Sequence, residues 1–176
     1  MNFDLRPVID FGKMPIANAF LTKEQFKDEF FYDMVIGFDP KTSAIGLVHT
    51  IPPEKMFHEN YAFFSSTSKG MQKHFAETAK KLLPYAESSV VVEIGSNDGI
   101  MLEAWRELGV KAVGVEPSKN VADASRSRGH DVIGGFMSQS VIDEILSRGP
   151  VSLVFGANVS CHIENFREYV ECATKL

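Results

Sequence analysis

Cysteine is nearly missing from this chain. Only Cys161 and Cys172 occur, both close to the C-terminus, so no disulfide framework of the kind that staples small secreted domains is encoded. No apolar run approaches the roughly 20 residues needed to span a bilayer. The N-terminus, interrupted by Asp4, does not read as a signal peptide. A basic excess is also lacking: 18 Lys and Arg stand against 23 Asp and Glu, a net charge of −5. That balance argues against a general nucleic-acid or membrane surface, because both need clustered positive charge. Internal repeats and low-complexity tracts do not occur, and the cytoplasm is the default expectation. What remains is ordinary for a folded protein, with 44% hydrophobic and 23% charged residues. At 176 residues it makes one domain, or a small lobe plus one.

The most informative segment is Val90-Val-Val-Glu-Ile-Gly-Ser-Asn-Asp-Gly99. Its β-branched run predicts a strand buried on both faces, as in a parallel sheet covered by helices. Gly95 and Gly99 let the chain turn sharply out of that strand and bring backbone close to a ligand, where a Cβ would collide. Ile100, Met101, Ala104, Trp105 and Leu108 then recur at helical spacing. The next strand, Lys111 to Val115, ends in Glu116, placed to accept hydrogen bonds from both hydroxyls of a ribose.

The loop is not the dinucleotide fingerprint, since Gly-x-Gly-x-x-Gly does not occur. Its pattern is Glu-x-Gly-x-x-x-Gly, from Glu93 to Gly99, with Asp98 where a pyrophosphate would want only backbone N–H groups. An acid at that point repels phosphate and attracts a cation. A ligand with a ribose, no phosphate and a positive centre fits, which points to S-adenosylmethionine; the alternative is a structural turn carrying a solvated acid. A nicotinamide-dependent sugar enzyme is disfavoured by the same Asp98.

Beyond this unit the chain alternates. Helices are expected near Ser118–Arg128, Ser138–Ser147 and from about Ile163 onward, with strands at His130–Ile133 and Val151–Phe155. The resulting βαβαβαβα series predicts an α/β fold with a parallel sheet and right-handed crossovers. Upstream, short β pieces are expected around Arg6–Ile9, Phe31–Ile36 and Ala44–Thr50. Thr22 precedes a short helix over Lys23–Glu29, with Gln25 available for capping, and Pro52-Pro53 opens a helical turn. A helix from Ser68 to about Leu83 carries Met71, Phe75, Ala79 and Leu82 on one stripe and stops at Pro84. The expected organisation is a small N-terminal lobe over 1–67 and a cofactor domain over 68–176.

Residues 91–99 together with Glu116 resemble the class I S-adenosylmethionine-dependent methyltransferases. A narrower resemblance runs in order through Met14-Pro-Ile-Ala-Asn-Ala-Phe-Leu21, Phe57-His-Glu-Asn-Tyr-Ala-Phe-Phe-Ser-Ser-Thr-Ser68 and Gly95-Ser-Asn-Asp-Gly99. These blocks are similar to the sugar C-methyltransferases, which build branched deoxysugars on nucleoside diphosphates. The resemblance implies a Rossmann-like sheet with strand order 3-2-1-4. It implies a cofactor site of Glu93, Gly95, Ser96, Asn97, Asp98, Gly99, Glu116, Pro117, Ser118, Phe136, Asn158 and Val159. Phe136 reads as an apolar face for adenine or as core. For Tyr61 the resemblance implies a sugar contact or proton handling, with Ser65, Ser66 and Thr67 nearby; packing with its hydroxyl bonded to backbone is the other reading. His162 is a candidate base or substrate contact, or a neighbour of a helix N-cap. Cys161 reads as a small buried side chain.

Two departures from that family are visible. Its small zinc domain uses two Cys-x-x-Cys pairs, yet here no pair precedes Asp4, and the second position reads Gly37-Phe-Asp-Pro-Lys-Thr-Ser-Ala-Ile-Gly46. Closed structural zinc sites need four ligands, so no zinc is expected, and His49 and His58 read as surface or hydrogen-bonded histidines. The family's sheet has seven strands and a C-terminal lobe with a Tyr-His-Glu-His segment that supplies the base. Neither the last three strands nor that segment is present in this sequence. The expectation is therefore an incomplete sheet whose fourth strand is a bare edge, prone to self-association. The implied substrate is a nucleotide-linked keto sugar. A non-catalytic cofactor-binding module and a small O- or N-methyltransferase stand as alternatives.

Overall fold

The computed structural model describes residues 3–17, 19–86, 89–163 and 165–176. Asn18, part of one block quoted above, lies outside them. Contacts divide the chain into two units, Met1–Phe57 and His58–Leu176. The boundary thus falls ten residues before the one expected from sequence, and residues 58–67 make their hydrogen bonds inside the second unit.

The first unit is an antiparallel sheet of order β1-β2-β3, with β1 at Arg6–Pro15, β2 at Phe31–Asp39 and β3 at Ala44–Leu47. β1 runs well past Ile9 because an irregularity between Asp10 and Lys13 keeps the two strands in register. There Gly12 adopts φ +71° and donates its N–H to Asp10 Oδ1 at 2.7 Å, a local turn inside the strand. The β2–β3 hairpin is fastened by Asp39, whose side chain is almost fully buried and accepts from Lys41 N at 2.8 Å and Asp4 N at 3.3 Å. Those N–H groups hold the Asp39 carboxyl below the usual range. The expected Lys23–Glu29 helix is a 3₁₀ helix, Lys23–Asp28, with Gln25 Oε1 accepting from Thr22 N at 2.9 Å. α1, Pro53–Met56, follows the proline pair.

The second unit begins with α2, Lys69–Leu82, capped by Ser68 Oγ on Met71 N. Pro84 closes it within a short 3₁₀ turn, Leu83–Tyr85. Four parallel strands follow: β4 Val90–Ile94, β5 Ala112–Glu116, β6 Asp131–Gly134 and β7 Val151–Phe155. Their spatial order is β6-β5-β4-β7, which is the expected 3-2-1-4. The crossovers are α3 Ile100–Glu107, α4 Lys119–Ser127 and α5 Gln139–Leu146, and α6 Phe166–Ala173 follows β7.

Every residue of β4 is buried. Val91 faces a layer with Phe75, Ala79, Met101 and Trp105 from α2 and α3. Val90, Val92 and Ile94 face Val141 and Ile145 of α5 on the other side. Burial on both faces explains why the strand is a continuous apolar run rather than an alternating one. At about 25 cal/mol per Å², each of these side chains contributes on the order of 1.5–3 kcal/mol of hydrophobic stabilisation. Among the described residues β7 pairs only with β4, and it is partly exposed along its whole length.

Candidate functional site

β4 and β5 deliver their carboxyl ends side by side, with Glu93 paired to Gly114 and Ile94 to Val115. Gly95 N and Ser96 N donate to Val115 O at 2.8 and 3.2 Å, tying the loop onto the neighbouring strand. Gly95, Asn97 and Gly99 all lie at positive φ, +70°, +49° and +84°. Only the glycines do so without strain from a Cβ, while asparagine tolerates it best among the rest. A Cβ on Gly95 would stand 2.6 Å from Val159, so Val159 fits only because residue 95 is glycine.

Glu116 sits at the end of β5, 5% exposed. Its Oε2 accepts from Asn97 N at 2.9 Å and its Oε1 from Ser118 N at 2.8 Å. The carboxylate is thus held by two backbone donors, with lone pairs left for a ligand. Burial raises its pKa, and the Ser118 and Asn97 N–H groups oppose that rise. Glu93 is fully buried and pushed well above the usual carboxyl range, first by burial, then by the charges of Glu116 and Asp98. Among the described residues, Glu93 Oε2 and Ser96 Oγ are buried without a protein partner. Ser96 Oγ points towards Gly114, where a Cβ would approach it to 2.4 Å. It therefore lies beneath the loop.

Asp98 behaves differently from the sequence expectation. Its carboxylate accepts from Ser66 N at 3.1 Å and from Ser66 Oγ at 2.5 Å, and it stands 3.4 Å from Arg128 Nη2. Arg128 also donates to the Asp98 carbonyl. The side chain turns inward, 1% exposed, so its charge is engaged by protein donors. Ser65 is similarly engaged: its N and Oγ donate to Asn97 Oδ1 at 2.9 and 3.0 Å. Thr67 Oγ1 donates to Phe64 O at 2.7 Å. Tyr61 is half-buried, and its pKa is raised by burial and then by the negative charge of Glu116.

Pro117 and Ser118 lead from β5 into α4. Phe136, after β6, is 40% exposed, which removes the core reading. Asn158 at φ +56° and Val159 follow β7, with His162 exposed in the 3₁₀ turn Ser160–His162. Cys161 is exposed, contrary to expectation, because it lies in that same turn rather than on a packed helix. Cys172, on α6, is buried. His49 is exposed, and His58 Nδ1 accepts from Asn60 N at 3.1 Å.

Sequence reasoning passed over Asn120 and the chain Ser125–His130–Glu103. Asn120 Nδ2 donates to Tyr61 O at 2.7 Å, and its Oδ1 accepts from Tyr61 N at 3.2 Å. Behind Gly99, His130 Nδ1 lies 3.0 Å from Ser125 Oγ and its Nε2 3.0 Å from Glu103 Oε2. No local pattern signals either, since the Tyr61–Asn120 pair spans 59 residues.

A loop at the carboxyl edge of a parallel sheet, with an acid at the end of the adjacent strand, defines a doubly wound α/β protein with its crevice where such folds bind ligands. The C-methyltransferase NovU of Streptomyces niveus is 28% identical over 178 residues, covering 98% of this chain. The chain spans 42% of that relative's length. The similarity to that C-methyltransferase runs along nearly the whole of this chain. Residues 1–57 match the Methyltransf_13 family model, described as a putative zinc binding domain. Among solved structures, the CcbJ methyltransferase from Streptomyces caelestis covers 47% of this chain and 34% of its own, at 23% identity and TM-score 0.40. The plantazolicin methyltransferase BpumL, in complex with SAH, covers 59% and 41%, at 16% identity and TM-score 0.44.

The residues of the first unit do not fit the zinc named in the description of the matching model. No cysteine occurs before Cys161. Among the described residues no group of three or more His, Cys, Asp or Glu side chains is placed to hold a metal. Where the hairpin would carry soft ligands, Asp39 is committed to backbone N–H groups. Among the described residues, no helix is long and apolar enough to cross a membrane.

Proposed function

We propose that this chain forms the cofactor-binding part of an S-adenosylmethionine-dependent methyltransferase acting on carbon, its substrate a nucleotide-linked keto-deoxysugar. The observation that carries the cofactor assignment is Glu116, buried at the end of β5 and fixed by Asn97 N and Ser118 N. Beside it Glu93 Oε2 is buried without a protein partner among the described residues. Buried polar atoms without partners are costly, and a polar ligand in the crevice would supply them.

When bound, S-adenosylmethionine supplies a methyl group on a sulfonium centre. In this chain Glu116 would hold the ribose hydroxyls, the Gly95 loop would let the ligand approach backbone, and Phe136 would offer an exposed apolar face to adenine. Asn158 and Val159 lie after β7, on the side assigned to the amino-acid end of the cofactor. The keto group of the substrate acidifies the neighbouring C–H, and a base must take that proton. Tyr61 keeps its phenolic proton at neutral pH as any phenol does, and burial followed by the charge of Glu116 raises its pKa further. It suits donation to the sugar's keto oxygen, and His162, exposed in the turn after β7, is a candidate base or substrate contact. Similarity to the NovU C-methyltransferase supports transfer to carbon.

Calorimetric titration with S-adenosylhomocysteine tests the assignment. Glu116→Ala should weaken binding by about 1.5–3 kcal/mol, the range for hydrogen bonds to charged groups. Because Glu116 also anchors the loop, Glu116→Gln serves as a shape-conserving second variant, with folding checked by circular dichroism. Equal affinity for wild type and both variants would refute the assignment.

A further inference from the structure

Three side chains near Glu116 hydrogen-bond to one segment. Asn97 Oδ1 accepts from Ser65 N and Ser65 Oγ, and its Nδ2 donates to Phe63 O at 3.0 Å. Asp98 accepts from Ser66 N and Oγ. Asn120 takes both backbone groups of Tyr61. All three sit within four residues of a Glu116 contact or supply one. Asn97 N itself donates to Glu116 Oε2, Asp98 is the next residue, and Asn120 lies two residues beyond Ser118, whose N donates to Oε1.

We infer that Asn97, Asp98 and Asn120 are positioning residues that latch the segment Tyr61–Ser66 beside Glu116, so that nucleoside binding and the order of this segment are coupled. The inference rests on the nucleoside reading above and adds the wall of that site. Asn97 is the coupling element. One residue holds the ribose acid with its backbone and the segment with its side chain, and it does so at φ +49°, a conformation asparagine tolerates better than most residues. The Ser66 hydroxyl is drawn into Asp98 by a charge-assisted bond, stronger than a neutral one. In this arrangement the Ser65 and Ser66 hydroxyls secure the segment, and the Tyr61 phenol is what it presents beside Glu116.

Hydrogen–deuterium exchange on the full chain, with and without S-adenosylhomocysteine, tests this through Asn97→Gly. Glycine accepts the positive φ, so the N–H on Glu116 survives while the side-chain bonds are lost. In the free protein, exchange at Ser65 should accelerate by about tenfold, the factor that an ordinary net hydrogen bond allows. Asn97→Asp keeps the acceptor and should restore Ser65 protection, a rescue that a mere loss of packing would not show. In wild type, S-adenosylhomocysteine should slow exchange across 61–66, and in Asn97→Gly that protection should be lost while the ligand still binds. Unchanged Ser65 exchange in free Asn97→Gly, or equal ligand protection in both proteins, would overturn the latch. Failure of wild type to bind S-adenosylhomocysteine would instead overturn the nucleoside reading and with it the coupling, and the free-protein measurement would still decide whether the side chains hold the segment.

Discussion

Replacing Gly99 by alanine adds one carbon where two side chains already stand. An ideal Cβ there would lie 2.2 Å from Ser125 Oγ and 2.4 Å from His130 Nδ1. Neither neighbour can yield cheaply, because Ser125 is fully buried and His130 is bonded on both ring nitrogens. The backbone adds its own cost, since φ is +84° and left-handed conformations cost an L-residue about 1–2 kcal/mol. Overpacking a dense interior adds about 1–3 kcal/mol. The expected loss is therefore about 2–5 kcal/mol, or a melting temperature lower by roughly 4–20 °C for a chain of this size. Gly109 supplies the control. It too has positive φ, +72°, but a Cβ there meets nothing within 4 Å, so Gly109→Ala reports the backbone cost alone. Urea unfolding of both variants separates the two contributions. If Gly99→Ala and Gly109→Ala lose the same stability within about 0.5 kcal/mol, the additivity limit for independent sites, the packing argument is wrong.

Elemental analysis of purified protein should find far less than one zinc per chain; stoichiometric, chelator-resistant zinc would contradict this and direct attention to His49 and His58. Glu93 titrates in the direction set by burial. Its folded pKa is raised, so as pH climbs past the ordinary carboxyl value of 4.5 the unfolded chain releases a proton that the folded state retains, and stability falls until the raised value is passed. Glu93→Gln should remove that decline and stabilise the protein at neutral pH relative to acid; parallel pH–stability curves for the two proteins would exclude it. β7 presents an unpaired edge among the described residues, and such edges template pairing with other chains. Sedimentation velocity should show association growing with concentration in the micromolar range, and a strictly concentration-independent monomer would count against that expectation.

The β4–loop–α3–β5 unit was legible because every signal in it is local. A β-branched run, two glycines and a helical recurrence of Ile100, Met101, Ala104 and Trp105 need no distant partner to be read, and the observed strands and helices match to within a few residues. Glu116 was legible for the same reason, as the acid closing the next strand. Asp98 was not. Which way its side chain turns depends on Ser66, 32 residues away, and on Arg128, 30 residues in the other direction. One-dimensional spacing assigned the charge to a ligand, whereas the fold engages it with protein donors. Asn120 escaped notice because a polar residue in the first turn of a helix is unremarkable until its partner, the backbone of Tyr61, is known. The length of β1 was missed because the irregularity at Asp10–Lys13, which breaks the alternation, does not break the pairing.

The two neighbours of β4 reach it at very different moments during synthesis. β5 pairs through Val91 and Ala112, some twenty residues apart, but β7 pairs through Val90 and Val151, about sixty residues later. At elongation rates of about 5–20 residues per second, β7 leaves the ribosome roughly 3–12 s after β4. For that interval the run Val90–Val92 has one side of its ladder open, and low charge with high β propensity makes such a segment adhesive. The nascent chain therefore passes through a window in which the strand most buried in the finished sheet is also its most vulnerable. Chaperone demand should depend on translation speed between residues 95 and 155 more than on the stability of the finished fold.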